Sequence, residues 1–288
     1  MNIAESTCIV SGTGGYLGGR VATALRQRGQ SVLKMTRNPR AGHDAIPFQL
    51  GADIAPLSLA GASSLVHCAY DFKPLKWDEI YQVNVAGTEK LLRAAREAGV
   101  RNIVYISSIS AFEGCRSLYG QAKLAAERIA HSLNAIIIRP GLVWGHPPGA
   151  MFGRLVQQVG QARILPLFGS GSQIQYLVHD EDLVNFIGDC AAGKIPTPPG
   201  PVTVAHERPW PFRQILEEIA RANGKRISFI PVPWRLIWAP LKIAELAGAR
   251  LNFRSDSLVS LMHQNPNPSF ALQRSLGIPC RPFKPEAF

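Results

Sequence analysis

An α/β fold, a doubly wound parallel sheet joined to a smaller second lobe, is predicted by three observations on this chain of 288 residues. Short apolar runs alternate with amphipathic helical patterns through the first half, as successive βαβ units require. The first of those runs passes straight into a glycine-rich turn that opens a helix. Beyond about residue 145 proline and glycine become frequent, as in His146-Pro-Pro-Gly149 and Pro196-Thr-Pro-Pro-Gly-Pro201, and the periodic segments shorten.

The elements follow in order. Cys8-Ile-Val-Ser11 makes a buried strand over 7–11, and Gly12-Thr13-Gly14-Gly15-Tyr16-Leu17-Gly18 follows it. A helix over 16–28 then places Val21, Ala24 and Leu25 on one face. Backbone N–H groups at such a turn point outward, and glycine leaves no Cβ in the way, so a dinucleotide pyrophosphate can approach. Strands are expected near 31–35, 46–49 and 64–68, then a helix near 77–98 with Gly99 as its C-cap. A strand near 102–107, a helix near 118–132 and a strand near 134–138 complete the first lobe. The predicted division is 1–145, with a return segment at about 176–192, for the dinucleotide lobe. Residues 146–175 and 193–288 form the smaller α/β substrate lobe, which would close over the carboxyl edge of the sheet.

Tyr119 and Lys123 stand four positions apart in Ser117-Leu-Tyr-Gly-Gln-Ala-Lys123, so one helix face presents both. A free tyrosine titrates near ~10, and a neighbouring ammonium favours its phenolate, which makes the pair a candidate proton-transfer unit.

Composition narrows the alternatives. Hydrophobic residues make up 46% of the chain, enough for a substantial core. Five cysteines at 8, 68, 115, 190 and 280 show no ligand-like spacing, so neither a metal site nor a disulfide framework is expected, and a reducing cytoplasm fits. His179, Asp180 and Asp182 are read as joining the lobes rather than holding metal. Met1-Asn-Ile-Ala-Glu5 lacks a secretory pattern, and no run approaches the about 18 apolar residues of a spanning helix. The balance of 31 Lys and Arg against 20 Asp and Glu favours anionic ligands. The cations, Arg20, Arg26, Arg28, Lys34, Arg37 and Arg40 among them, are scattered without interleaved aromatics, so nucleic acid is not an expected partner.

Seven fragments in order resemble the extended short-chain dehydrogenase/reductase superfamily, in its NAD-dependent epimerase/dehydratase branch. They are Ser11-Gly-Thr-Gly-Gly-Tyr-Leu-Gly18, Val66-His-Cys-Ala-Tyr70, Asn84-Val-Ala-Gly-Thr88, Tyr105-Ile-Ser-Ser108, Tyr119-Gly-Gln-Ala-Lys123, Ile138-Arg-Pro-Gly-Leu-Val-Trp-Gly145 and Leu177-Val-His-Asp-Glu-Asp-Leu183. The resemblance implies a Rossmann-type sheet and an oxidoreductase, cytoplasmic and homodimeric through the 77–98 and Tyr119 helices. By the same resemblance Tyr119 is the acid/base, and Lys123 binds the nicotinamide ribose. Ser108, with Ser107 and Ser110 as neighbouring candidates, polarises the substrate oxygen. Ala69, Tyr70, Pro140 and Gly141 lie against the cofactor, while Asn84 is a structural hydrogen-bonding residue.

A carboxylate about 20 residues past the glycines would select NAD. None stands there; Arg37, 19 positions beyond Gly18, is placed to fork onto a 2′-phosphate, so NADP is preferred over NAD. The substrate is a small molecule, a nucleotide sugar as the first reading and an apolar ketone or alcohol as the second. Gln175 stands where many nucleotide-sugar enzymes place an arginine on the diphosphate, with Arg163 or Arg254 as substitutes. A non-catalytic NADP(H)-sensing regulator is the remaining alternative. Trp234, Trp238, Leu241 and Leu246 make an apolar helix face read as packing on its own lobe or lining a substrate pocket, with membrane contact the less favoured reading.

Overall fold

A seven-stranded, wholly parallel sheet organises the chain. It contains β1 (Thr7–Ser11), β2 (Ser31–Thr36), β3 (Ala45–Pro47), β4 (Ser64–His67), β5 (Asn102–Ile106), β6 (Ile136–Pro140) and, from much later in the chain, a strand at Val202–Val204. The order across the sheet is Val202–Val204, β6, β5, β4, β1, β2, β3, so it reverses at β1 and β4 and opens a crevice at their carboxyl ends. The computed structural model describes residues 7–39, 44–249, 251 and 253–286; Arg40 and the Met1–Glu5 segment lie outside them.

Period-two alternation explains the layers. Val10, Val66, Val104 and Ile138 point to one face, under α1 (Tyr16–Gln27) and the helix Asp180–Ala191, through Val21, Leu25, Leu183 and Ile187. Ile9, Leu65, Ile103 and Ile137 point to the other, under α3 (Gly87–Glu97) and α4 (Leu118–Ser132), through Leu91, Leu92, Ala126 and Ala130.

Two boundaries differ from the periodicity. The helix expected over 77–98 is three pieces: α2 (Trp77–Ile80), a π-helical turn over Tyr81–Ala86, and α3. The wide turn coincides with side chains taking up its polar groups, since Thr88 Oγ1 donates to Asn84 O at 2.6 Å and Asn84 Nδ2 donates to Asp71 O at 3.0 Å. The strand expected over 134–138 is β6, two residues later, because Asn134 adopts φ 54° and extends the turn after α4.

After β6 come β7 (Leu142–Trp144), α5 (Ala150–Gln161), β8 (Ile164–Phe168), β9 (Ile174–Gln175), β10 (Leu177–His179), α6 (Asp180–Ala191), β11 (Val202–Val204), β12 (Trp210–Pro211) and α7 (Phe212–Ala222). The chain ends with β13 (Ser228–Val232), α8 (Trp234–Leu246), α9 (Ser255–Met262) and α10 (Ala271–Ser275). Short ladders join β7 to β10, β9 to β12 and β8 to β13. A separate apolar cluster holds α5 and α7 together, with Phe283 edge-on to Trp144 and Trp210 at 5.2 and 5.3 Å.

Candidate active site

The glycine turn sits where β1 and β4 part. Gly12 has φ 73°, and a Cβ there would lie 2.7 Å from Ala69 N; a Cβ on Gly18 would lie 2.3 Å from Gly12 O. Both positions therefore exclude side chains, and the turn lies tightly between the end of β4 and the start of α1. No side chain caps α1, whose N-cap is Gly15, so the N–H groups of its first turn are available to an anion. Thr13 and Leu17 are half-buried, and Gly14 and Gly15 are exposed. Tyr16 directs its hydroxyl to the start of α6, onto Asp180 Oδ2 at 2.7 Å, beside Arg20 at 3.1 Å from the same carboxylate oxygen. Arg37 is exposed just past β2, two residues beyond Met35, which pairs with Ser11 at the edge of the turn.

A buried hydrogen-bonded chain braces this edge. Burial, with Lys123 nearby, pushes His67 down to about 3, so its imidazole is neutral and has one donor and one acceptor. Thr88 Oγ1 already donates to Asn84 O, so it accepts from His67 Nε2 at 2.9 Å. Nδ1 then accepts from Ser11 Oγ at 2.7 Å.

Helix α4 brings Tyr119 and Lys123 to the end of β5. Burial raises the Tyr119 phenol pKa, and the Ser108 hydroxyl beside it lowers it in part. The two neighbouring hydroxyls are engaged elsewhere: Ser107 Oγ donates to Glu127, itself paired with Arg139 at 2.6 Å, and Ser110 Oγ accepts from Ser260 at 3.2 Å. Lys123 Nζ donates to Ile106 O at 2.7 Å and sits 4.9 and 5.2 Å from the rings of Tyr105 and Tyr70. Burial pushes its pKa down to about 8, against the opposing influence of Cys68 and Glu127. Pro140 O accepts from Ile109 N at 3.0 Å, which sets it beside the Ser108 turn, and Gly141 N donates to Val204 O in β11 at 3.1 Å.

Three residues not singled out from sequence complete the surroundings. Phe72 stacks on Tyr119 at 5.7 Å, while Tyr70 meets the same ring edge-on at 4.9 Å. Asp256, on α9, accepts from Leu118 N at 2.7 Å and Tyr119 N at 3.0 Å. His67 braces the turn, as described; its signal lay in the Val66-His-Cys-Ala-Tyr70 fragment. With Ser117 Oγ accepting from Gly120 N at 3.1 Å and Ser117 O from Gln121 N at 3.0 Å, all four leading N–H groups of α4 are satisfied.

The substitutes for a diphosphate-binding arginine are placed differently. Gln175 is buried in β9, its amide donating to Ile174 O at 2.8 Å. Arg254 donates to Phe72 O and Pro74 O and so holds the loop over Tyr119, and Arg163 is exposed on the connection into β8. Asp182 accepts from Arg281 at 2.7 Å, and among the described residues no group of three potential ligands forms a metal site. An open cleft of about 420 Å³ lies between α8 and α9, with Trp234, Trp238, Ala239 and Val259 in its wall. A smaller one beside it reaches Leu118 and Asp256, next to Tyr119.

Sheet order and the Tyr119 helix together define a class, the NAD(P)-dependent short-chain dehydrogenases and reductases. The model of the NAD dependent epimerase/dehydratase family matches residues 8–191, and the chain belongs to that family. It is 27% identical over 213 residues to a 3 beta-hydroxysteroid dehydrogenase/Delta 5-->4-isomerase of Mycobacterium tuberculosis, covering 59% of this chain and 58% of that relative's length. A UDP-glucose 4-epimerase of Vibrio cholerae is 28% identical, with 83% of this chain and 82% of that one covered. The solved structure of MoeE5 in complex with UDP-glucuronic acid and NAD shares the fold, with a TM-score of 0.67 at 21% identity over 95% of this chain and 97% of that one.

Proposed function

We propose that this chain is an NADP(H)-linked oxidoreductase acting on a ketone or secondary alcohol within an apolar substrate. The observation that carries the reading is the frame of Tyr119. Its hydroxyl lies beside Ser108, its ring packs on Tyr70 and Phe72, and Arg254, which holds the Phe72 loop, is committed to backbone carbonyls. A carbonyl carbon in an apolar molecule matches such a lining better than a diphosphate does.

The turn over Gly12–Gly18 would hold the pyrophosphate, and Arg37 a 2′-phosphate. Ala69, Tyr119, Lys123, Pro140 and Gly141 would line the nicotinamide end. When bound, the dinucleotide supplies or accepts a hydride. Ser108 Oγ and Tyr119 Oη form the polar pair for the substrate oxygen, and Tyr119 moves the proton. Lys123 would place a cation on the same helix face, one turn from the phenol, where an ammonium favours the phenolate. Phe72 and Tyr70 pack on the ring of Tyr119 and would orient it.

A nucleotide sugar is the second reading, favoured by the match to the epimerase. The test measures NADPH and NADH consumption with a panel of medium-chain ketones, steroid ketones and UDP-sugars, for the natural chain and Tyr119→Phe. Turnover of an apolar ketone, falling roughly 10²–10⁴-fold in Tyr119→Phe, is expected. Conversion of a UDP-sugar alone would select the second reading. Turnover unchanged in Tyr119→Phe would refute the role of Tyr119 in both readings, and NADPH binding with no turnover of any substrate would return the sensing regulator.

A further inference from the structure

Helix α8 is turned inside out for a helix in water. Its one acid, Glu245, is 6% exposed and accepts from Ser255 N at 2.8 Å and Ser255 Oγ at 2.6 Å, capping α9. Leu236, Ile243 and Leu246 are instead 67%, 67% and 75% exposed. At about 100° per residue, Leu236, Pro240, Ile243 and Ala247 form one outward stripe. Arg235 and Lys242, seven positions apart, share one flank of that stripe, Arg235 in the wall of the 420 Å³ cleft and Lys242 in that of the smaller one beside it.

We propose that α8 docks this chain on an anionic membrane surface, its Leu236–Ile243–Leu246 face sinking among acyl chains and Arg235 and Lys242 meeting lipid phosphates. Charge complementarity selects this occupant. The helix offers no exposed carboxylate, both of its cations lie at the stripe's edge, and the chain carries a net charge of +11. Trp234 and Trp238 line the cleft from the same helix, with the amphipathic character that suits the headgroup level. Among the described residues no helix is long and apolar enough to cross a bilayer, so the contact is with the surface. In that orientation the cleft opens at the lipid boundary, where an apolar substrate would be concentrated. The docking itself stands on α8 alone and is independent of the catalytic reading.

Flotation of the full chain, without dinucleotide or substrate, tests this on phosphatidylcholine vesicles with and without phosphatidylglycerol. Binding roughly 30-fold tighter to the anionic vesicles is expected from two cations near the surface, and it should weaken with added salt. The double variant Leu236→Glu/Ile243→Glu changes only exposed side chains. It should lose the vesicle binding while keeping its mass in solution, its unfolding temperature and its response to NADPH. Absence of binding to anionic vesicles, or binding retained in the double variant, overturns the proposal. So does a fall in solution mass in that variant, which would assign the face to a second copy of the chain. The salt titration of the unsubstituted chain gives a second readout that needs no variant.

Discussion

Replacing Asp256 with alanine removes both acceptors for the first two N–H groups of α4, the helix that carries Tyr119 and Lys123. Loss of a helix cap costs about 1 kcal/mol, up to ~2. Loss of a carboxylate at a helix N-terminus adds about 0.3–1 kcal/mol. A total near ~2 kcal/mol in a chain of this size lowers the unfolding temperature by about 4 °C, since each kcal/mol shifts a large domain by roughly 2 °C. Ser117 still caps Gly120, so the helix should loosen at its first turn without melting. Tyr119 would lose its registration on Ser108, and a misplacement of that kind costs turnover up to about 10²-fold. The glycine turn does not touch Asp256, so the protection that NADPH gives against thermal unfolding should persist. Asp256→Asn, which keeps one acceptor oxygen, should fall between the two proteins. Thermal unfolding with and without NADPH, beside initial rates on whichever ketone is turned over, reads all three quantities. If Asp256→Ala unfolds and turns over like the natural chain, the cap does not position the Tyr119 helix and the argument fails.

At the glycine turn, Gly12→Ala should abolish thermal protection by either dinucleotide, because φ 73° and the 2.7 Å approach to Ala69 N admit no methyl group. Gly14→Ala, with nothing within 4 Å of its Cβ, should fold normally, so unequal folding of the two variants checks the geometry. Arg37→Glu should weaken NADPH binding by roughly 10–100-fold while leaving NADH binding unchanged, as loss of a charge-assisted bond predicts; equal weakening of both would refute the 2′-phosphate role. Lys123 supplies a pH prediction. Burial lowers its folded pKa from 10.5 to about 8, so between those values the unfolded chain holds more protons and stability through this group rises with pH. Its penalty is complete below the folded pKa and relieved above the unfolded one. Unfolding temperatures from pH 7 to pH 10.5 should therefore climb more steeply for the natural chain than for Lys123→Met. Parallel curves would show that Lys123 is not desolvated.

The parts of this protein that sequence alone determined are those governed by local rules. A period of two, a period of 3.6 and glycines between them specify β1, its turn and α1, and the same alternation leads to the parallel sheet. Tyr119 and Lys123 share a face because one helix carries both, which spacing reveals without coordinates. Local rules stop where a partner is remote or a turn absorbs a residue. Asn134 in the left-handed region delays β6 by two residues, and the π turn at 81–86 interrupts a pattern that reads as one helix. Of three serines within four positions, only tertiary contacts separate Ser108, which meets Tyr119, from Ser107 on Glu127 and Ser110 on Ser260. Asp256 caps α4 from 138 positions away, and nothing around either residue signals the pairing. The outward face of α8 is likewise a tertiary fact. Its residues suit burial, and the packing that sets Glu245 on Ser255 leaves the Leu236–Ile243 stripe outward.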